Sequence, residues 1–348
     1  MSTLPLVSIT PWLPTSSGPD NDVRRREISQ ALHSACVEYG FFYLDISDFV
    51  SLEETTELER LARQFFELPQ VEKDKISISK QDGARGYQRL NENVTQGKPD
   101  SHEGLDFYAP VSDPNPTRPL WGVNQWPSVP GLQHQYEKWI DKMKQLGLIL
   151  MEAMAAGLGM RAEEWLDLRS QVDDSFWVLR VIGYPRLPDD HDGFSCGAHK
   201  DYGCLTFLHA DPTPSALQVF RTTPKPDGTR KGEWINADPI PGCIVVNIGE
   251  MWEIWSHGLY KSTLHRVIHR GENYRVSIPF FFEPNFDALV KPLPAALRVQ
   301  EINTRREVSV SAHPHEMGQM KLYTPVTYGE FLLKKVGSNF GTGKGKYD

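Results

Sequence analysis

Two histidines and an aspartate carry the strongest chemical signal in the chain. His199-Lys200-Asp201 sets an imidazole and a carboxylate two residues apart. In a strand, residues i and i+2 point to the same face, so both groups would aim one way with Lys200 turned outward. His265 supplies a third ligand type from far along the chain. Two imidazole nitrogens and one carboxylate oxygen on one face of an octahedral ion leave positions open for a co-substrate and O2 together, the arrangement iron(II) sites use. Tetrahedral zinc in the same triad would keep one open position, enough to activate water. The same spacing recurs at His209-Ala210-Asp211. That copy runs into Pro212-Thr213-Pro214 and reads as a solvated turn. His199 and Asp201 instead precede Tyr202-Gly203 and an apolar run, as suits a site at a strand mouth.

Arg275-Val276-Ser277 is the second signal. Arg275 and Ser277 share a strand face, and a guanidinium fork matches a carboxylate in bidentate fashion. Most arginines are surface residues. This one abuts Ile278-Pro279-Phe280-Phe281-Phe282, an apolar run of core character, where a charge needs a partner. No acid of matching parity stands nearby, which leaves a ligand carboxylate as the partner.

The elements that must position these groups change along the chain. The first third reads as helices. Asp22 to Tyr39 puts Ile28, Leu32, Ala35 and Cys36 on one face, and Gly40 closes the segment. Ser51-Leu52-Glu53-Glu54 has capping-box spacing, and Leu58, Leu61, Ala62, Phe65 and Phe66 follow at helical intervals until Leu68-Pro69. A long helix starts near Pro130 and ends at Gly157-Leu158-Gly159, with a bend expected at Gly147. Residues 80–130 are rich in Gly, Pro and Asn, yet Tyr87, Phe107, Tyr108 and Trp121 favour an ordered loop. From Ser175 the texture becomes short β-rich runs: 176–179, 205–208, 217–220, 244–248 and 276–282. These spacings predict a β-sandwich or barrel, with a jelly roll as the natural two-sheet form. Tyr328 to Val336 reads as a short closing helix.

Composition bounds the rest. The 348 residues include 37 Lys+Arg against 45 Asp+Glu, for a net charge of −8. That balance argues against a nucleic-acid binder. Cys36, Cys196, Cys204 and Cys243 form no C-x-x-C pair and no disulfide framework, so reduced thiols and a cytoplasmic setting are expected. The N-terminus lacks a signal-peptide pattern, and no run of about 18 apolar residues predicts a membrane span.

With these motifs in place, the chain resembles the iron(II)- and 2-oxoglutarate-dependent dioxygenases of the isopenicillin N synthase-like family. Gly197 to Gly203 with Leu205-Thr206 fits the first metal motif of that family. Lys261 to Val267 fits the second, Arg275-Val276-Ser277 the R-x-S, and Glu38 to Phe42 the N-terminal helix-to-strand entry. The resemblance implies an α+β fold: a double-stranded β-helix (jelly-roll) core flanked by helices, with an N-terminal helical region packed on the sheet. Residues 1–125 would form that region and 126–348 the core, as one integrated unit. It implies Fe(II) held by His199, Asp201 and His265, and 2-oxoglutarate held by Arg275, Ser277 and Tyr184. O2 would be the oxidant, and ascorbate the reductant in vitro. Ile182 stands where many plant members carry Asn. Arg180 is similar to an arginine that ethylene-forming enzymes place near the co-substrate.

The loop Gly86 to Glu103 is similar to a subgroup of homoarginine hydroxylases, fungal oxygenases of nitrogen-heterocycle catabolism and ethylene-forming enzymes. The resemblance implies Glu103 as an anchor for a cationic substrate and Tyr202 as a further substrate-binding residue, although an internal ion pair would equally explain Glu103. Lys334 or Lys335 falls where a substrate-carboxylate arginine is expected, or on a solvated helix face. The implied reaction oxidises an aliphatic C–H of a small amino- or guanidino-bearing molecule, with release of succinate and CO2. A nitrogen heterocycle or secondary metabolite is the alternative substrate. A non-redox metal enzyme and a non-catalytic binding module are the alternative classes.

Overall fold

Alternating side chains build the molecule around one large sheet. In the strand Phe41–Asp45, Phe42 and Leu44 face an outer core with the helices, while Phe41 and Tyr43 face an inner core. Val178–Tyr184 divides the same way: Leu179 and Val181 face outward, Ile182 and Tyr184 inward. This period of two is what a sheet buried on both faces requires. Each large apolar side chain buried this way contributes about 1.5–3 kcal/mol. The computed structural model describes residues 4–95, 97–191, 194–224, 230–310 and 323–340.

The main sheet has eight strands in the order Leu6–Ser8, Phe41–Asp45, Cys243–Ile248, Leu205–Ala210, Arg275–Phe282, Val178–Tyr184, Glu103–Tyr108, Gly86–Gln88. Only the first pairing is parallel. A second sheet of four strands runs Arg230–Asn236, Leu217–Pro224, His265–Val267, Cys196–His199. The inner core joins Phe41, Tyr43, Ile182, Tyr184 and Val245 of the main sheet to Leu217, Val219 and Val267 of the small one. The fold is thus α+β with a double-stranded β-helix core, as expected. The N-terminal segment is more than helical, however. Four of the eight main-sheet strands precede residue 125. Short, loop-flanked segments such as Gly86–Gln88 carry too little periodicity to be read as strands.

The helices cover the outer face. Asn21–Glu38, Leu52–Phe66 and Leu132–Gly157 match the predicted segments. At Ser51 the capping box forms: its hydroxyl accepts from the Glu54 N–H at 3.3 Å, and the Glu54 carboxylate accepts from the Ser51 N–H at 3.1 Å. Gly147 serves close packing. A Cβ there would lie 2.2 Å from the Phe282 ring, so its absence lets the long helix approach the Arg275–Phe282 strand. The four cysteines are free thiols. Among the described residues no helix is long and apolar enough to cross a membrane.

Candidate active site

The small sheet brings the two histidines together. His265 opens its strand and lies directly opposite His199, which closes the neighbouring antiparallel strand. The register shifts between His265 and Val267. Such an irregularity re-aims side chains at a sheet edge. Asp201 differs from expectation, because the strand ends at His199 and the aspartate sits in the following loop. Hydrogen bonds orient it instead of a ladder. Its backbone carbonyl accepts from the Glu250 N–H at 2.9 Å and the Ser262 hydroxyl at 3.2 Å. Carboxylate oxygen Oδ2 accepts from Thr206 Oγ1 at 2.5 Å and Asn247 Nδ2 at 2.6 Å. Lys200 does point outward, as expected.

The other oxygen, Oδ1, lies 3.7 Å from Nε2 of both His199 and His265. One potential ligand atom from each residue falls within 4.8 Å of the other two. Each imidazole is oriented through Nδ1, His199 against the Gly197 carbonyl at 2.8 Å and His265 against the Thr263 carbonyl at 3.2 Å. A carbonyl can only accept, so Nδ1 carries the proton and Nε2 presents its lone pair. Burial, with the neighbouring His199 ring, pushes His265 down to about 4 and so keeps it neutral at pH 7. Burial opposes ionisation of Asp201, but His265, His199 and the Thr206 and Asn247 donors together hold its carboxyl below the usual range. Two neutral nitrogens and one carboxylate fit a divalent iron with open positions.

Arg275 is 2% exposed, and its Nε and Nη1 have no hydrogen-bond partner. Its guanidinium stacks 4.8 Å above the Tyr184 ring, the residue opposite it in the adjoining strand. Ser277 Oγ donates to the Tyr184 hydroxyl at 3.5 Å. A buried guanidinium with unmet donors beside two hydroxyls fits one end of a dicarboxylate such as 2-oxoglutarate. Arg180 is paired differently, donating from Nε to Asp106 at 2.8 Å and from Nη2 to Gln88 at 3.2 Å. It still lines the cavity beside the triad.

That cavity, of about 60 Å³, includes His199, Asp201, Tyr202, Arg180, Phe281, Glu283 and Tyr328 in its walls. Tyr202 thus lies beside the metal-ligand candidates. Glu103 does not line it. Its carboxylate accepts from Lys73 Nζ at 2.7 Å, Tyr87 Oη at 2.6 Å and Tyr274 Oη at 2.8 Å. Three internal donors replace the expected substrate contact. Lys334 is exposed, and Lys335 donates to Glu250 at 3.2 Å. Leu332 and Tyr328 of the same helix, not the lysines, reach the cavity. The second H-x-D pair is not a solvated turn either. Asp211 is 1% exposed, accepting from the Val276 N–H at 2.9 Å and from Arg63, and His209 meets Glu59 at 3.0 Å.

Two acids went unread in the sequence. Asp100 ties the long loop to the metal-bearing strand. It accepts from the Gly197 N–H at 2.8 Å through one oxygen, and from Asn93 and Thr95 through the other. Glu283 is 2% exposed and accepts from the Cys204 N–H at 2.9 Å. Burial pushes it up to about 8 against the Cys204 N–H and the neighbouring Tyr328 hydroxyl, and Asp201 adds to the rise. Parity was the available signal: 283 directly follows the strand and has the parity of 275, 277 and 281.

A double-stranded β-helix with a His-Asp-His cluster and an unfilled arginine defines a non-haem iron, 2-oxoglutarate class of oxygenase. Comparison with known proteins agrees. Residues 174–284 match the 2OG-Fe(II) oxygenase superfamily, and residues 4–129 match the model described as non-haem dioxygenase in morphine synthesis N-terminal. The homoarginine-6-hydroxylase of Oryza sativa subsp. japonica is 37% identical over 97% of each chain. That of Glycine max is 37% identical over 97% of this chain and 98% of its own. In fold, the chain is similar to a full-length Neurospora crassa protein crystallised in complex with alpha-KG (TM-score 0.74, 24% identity, 96% of each chain). It is also similar to the rice dioxygenase for auxin oxidation (TM-score 0.67, 19% identity, 96% and 95%). The chain belongs to the 2OG-Fe(II) oxygenase superfamily. It is a 2-oxoglutarate-dependent dioxygenase that uses Fe(II), so the alternatives of a hydrolytic zinc enzyme and a non-catalytic module fall away.

Proposed function

We propose that this dioxygenase hydroxylates an aliphatic C–H of a small amino acid with a basic, guanidino-type side chain. His199, Asp201 and His265 hold the iron, and Arg275, Ser277 and Tyr184 hold the distal carboxylate of 2-oxoglutarate. When bound, the iron and keto acid together supply O2 activation, with succinate and CO2 released. The chain's own part is positioning. Thr206 and Asn247 fix the Asp201 carboxylate, and Phe281, Tyr328 and Leu332 exclude water from the cavity.

The observation that carries the co-substrate assignment is the buried Arg275 with two unpartnered donor nitrogens. Support for the substrate class comes from 37% identity to homoarginine-6-hydroxylases along nearly the whole chain. The cavity adds to it, with the acid Glu283 in its wall. The test is a panel of arginine, homoarginine, lysine and planar nitrogen heterocycles with Fe(II), 2-oxoglutarate and ascorbate, scored by succinate release and product mass. A gain of 16 mass units on a basic amino acid is expected. The aromatic lining of Tyr108, Tyr202, Phe281 and Tyr328 would also accept a flat ring. Exclusive turnover of a heterocycle would replace the amino-acid reading.

A further inference from the structure

We propose that Glu283 is the acidic anchor that receives the cationic group of the substrate. The inference rests on the amino-acid reading above and sharpens it to one residue. Two acids stand in the cavity wall, Asp201 and Glu283. Asp201 is committed to the histidine cluster. Glu283 has no lysine, arginine or histidine within ion-pair distance among the described residues, and it is almost wholly buried. A buried acid with no basic partner holds its proton until a cation arrives to pair with it. In contrast, Glu103 has Lys73 at 2.7 Å and Asp106 has Arg180 at 2.8 Å.

Geometry places this acid where the chemistry needs it. Glu283 directly follows the strand that begins with Arg275, and like Phe281 it lines the cavity. That strand therefore starts at the cation assigned to the keto acid and runs into an acid at the substrate cavity. Gly203, two residues after Asp201, passes so close to Glu283 that a Cβ would fall 1.8 Å from its carboxylate. The acid is thus held against the loop that carries a metal ligand. Oxidation at C6 of homoarginine strikes the carbon bonded to the guanidino nitrogen. The guanidinium must then rest near the metal, in the same cavity, where a planar fork can pair with a carboxylate.

The test compares homoarginine with homocitrulline, its neutral ureido counterpart of nearly equal shape, using the iron-loaded full chain. Wild type should favour homoarginine by at least about 30-fold in kcat/KM, and Glu283→Gln should bring that ratio within about 3-fold of unity. Glu283→Asp, which keeps the charge, should retain a preference for homoarginine. A merely structural role would lower both substrates alike, so an unchanged ratio in Glu283→Gln overturns the inference. Should that variant fail to fold, a wild-type ratio near unity overturns it equally. Failure of the wild type to turn over any basic amino acid sinks the substrate reading and the anchor together. Turnover with a Gln-insensitive ratio sinks the anchor alone.

Discussion

His199 and His265 stand directly opposite each other on neighbouring antiparallel strands, their ring centroids 4.2 Å apart. Cross-strand partners at this range are set by backbone pairing, not by side-chain flexibility. Phe41 packs edge-on against His265 at 5.2 Å and limits its rotation. The third member has no ladder to hold it, so its orientation depends on the side chains that grip it.

Asn247→Ala should therefore weaken metal binding more than it weakens the fold. It leaves Asp201 Oδ2 with Thr206 alone among the side-chain donors described. Loss of a partner that orients a ligand typically costs about 10–100-fold in metal affinity. Titration of the apoprotein with Fe(II) under anaerobic conditions measures this, and an unchanged affinity contradicts it.

Arg275→Ala should raise the KM for 2-oxoglutarate roughly 10–100-fold, since hydrogen bonds to a charged group contribute about 1.5–3 kcal/mol. Arg275→Lys should recover only part of the loss, because a point charge cannot make the bidentate contact. Succinate release against 2-oxoglutarate concentration reads both. An unchanged KM would place the keto acid elsewhere.

Glu103→Gln should behave as a stability variant. It strips the charge from the partner of buried Lys73. Breaking a buried pair by removing one partner costs about 3–5 kcal/mol. Urea denaturation should show the drop, while substrate KM in the folded fraction stays within about 2-fold. A large KM change would restore Glu103 to the substrate site.

Glu283 gives stability a definite pH dependence. The folded state holds its proton up to about pH 8, whereas an ordinary glutamate releases it near 4.5. Across that window the native state binds more protons than the unfolded chain, so stability falls as pH rises. Relative to wild type, Glu283→Gln should lack this decline. Thermal melts of the ligand-free proteins between pH 5 and 8.5 measure it, and parallel curves would refute it.

Much of this site was legible because strand chemistry has a short period. Arg275 and Ser277 share a face, and the apolar run after them marks the arginine as buried. His265 could be named from its motif, but its position opposite His199 depends on pairing between distant segments. Glu103 stayed open between substrate anchor and internal ion pair because Lys73 comes from another segment, and no local pattern announces such a pair. Asp211 misled for the same reason: the prolines after it suggested a solvated turn, yet Arg63 and the Val276 N–H come from elsewhere in the chain. Glu283 has the right parity, but its lack of a cation can be seen only in three dimensions.

The mixed origin of the large sheet has a genetic corollary. Val178–Tyr184 hydrogen-bonds to Glu103–Tyr108, and Cys243–Ile248 to Phe41–Asp45. Separating the chain near residue 125 would bare two β-edges on the C-terminal piece, and bare edges recruit other chains. The N-terminal third is therefore a poor candidate for exchange as an autonomous cassette, and recombination between relatives should succeed only where both halves of these ladders are inherited together.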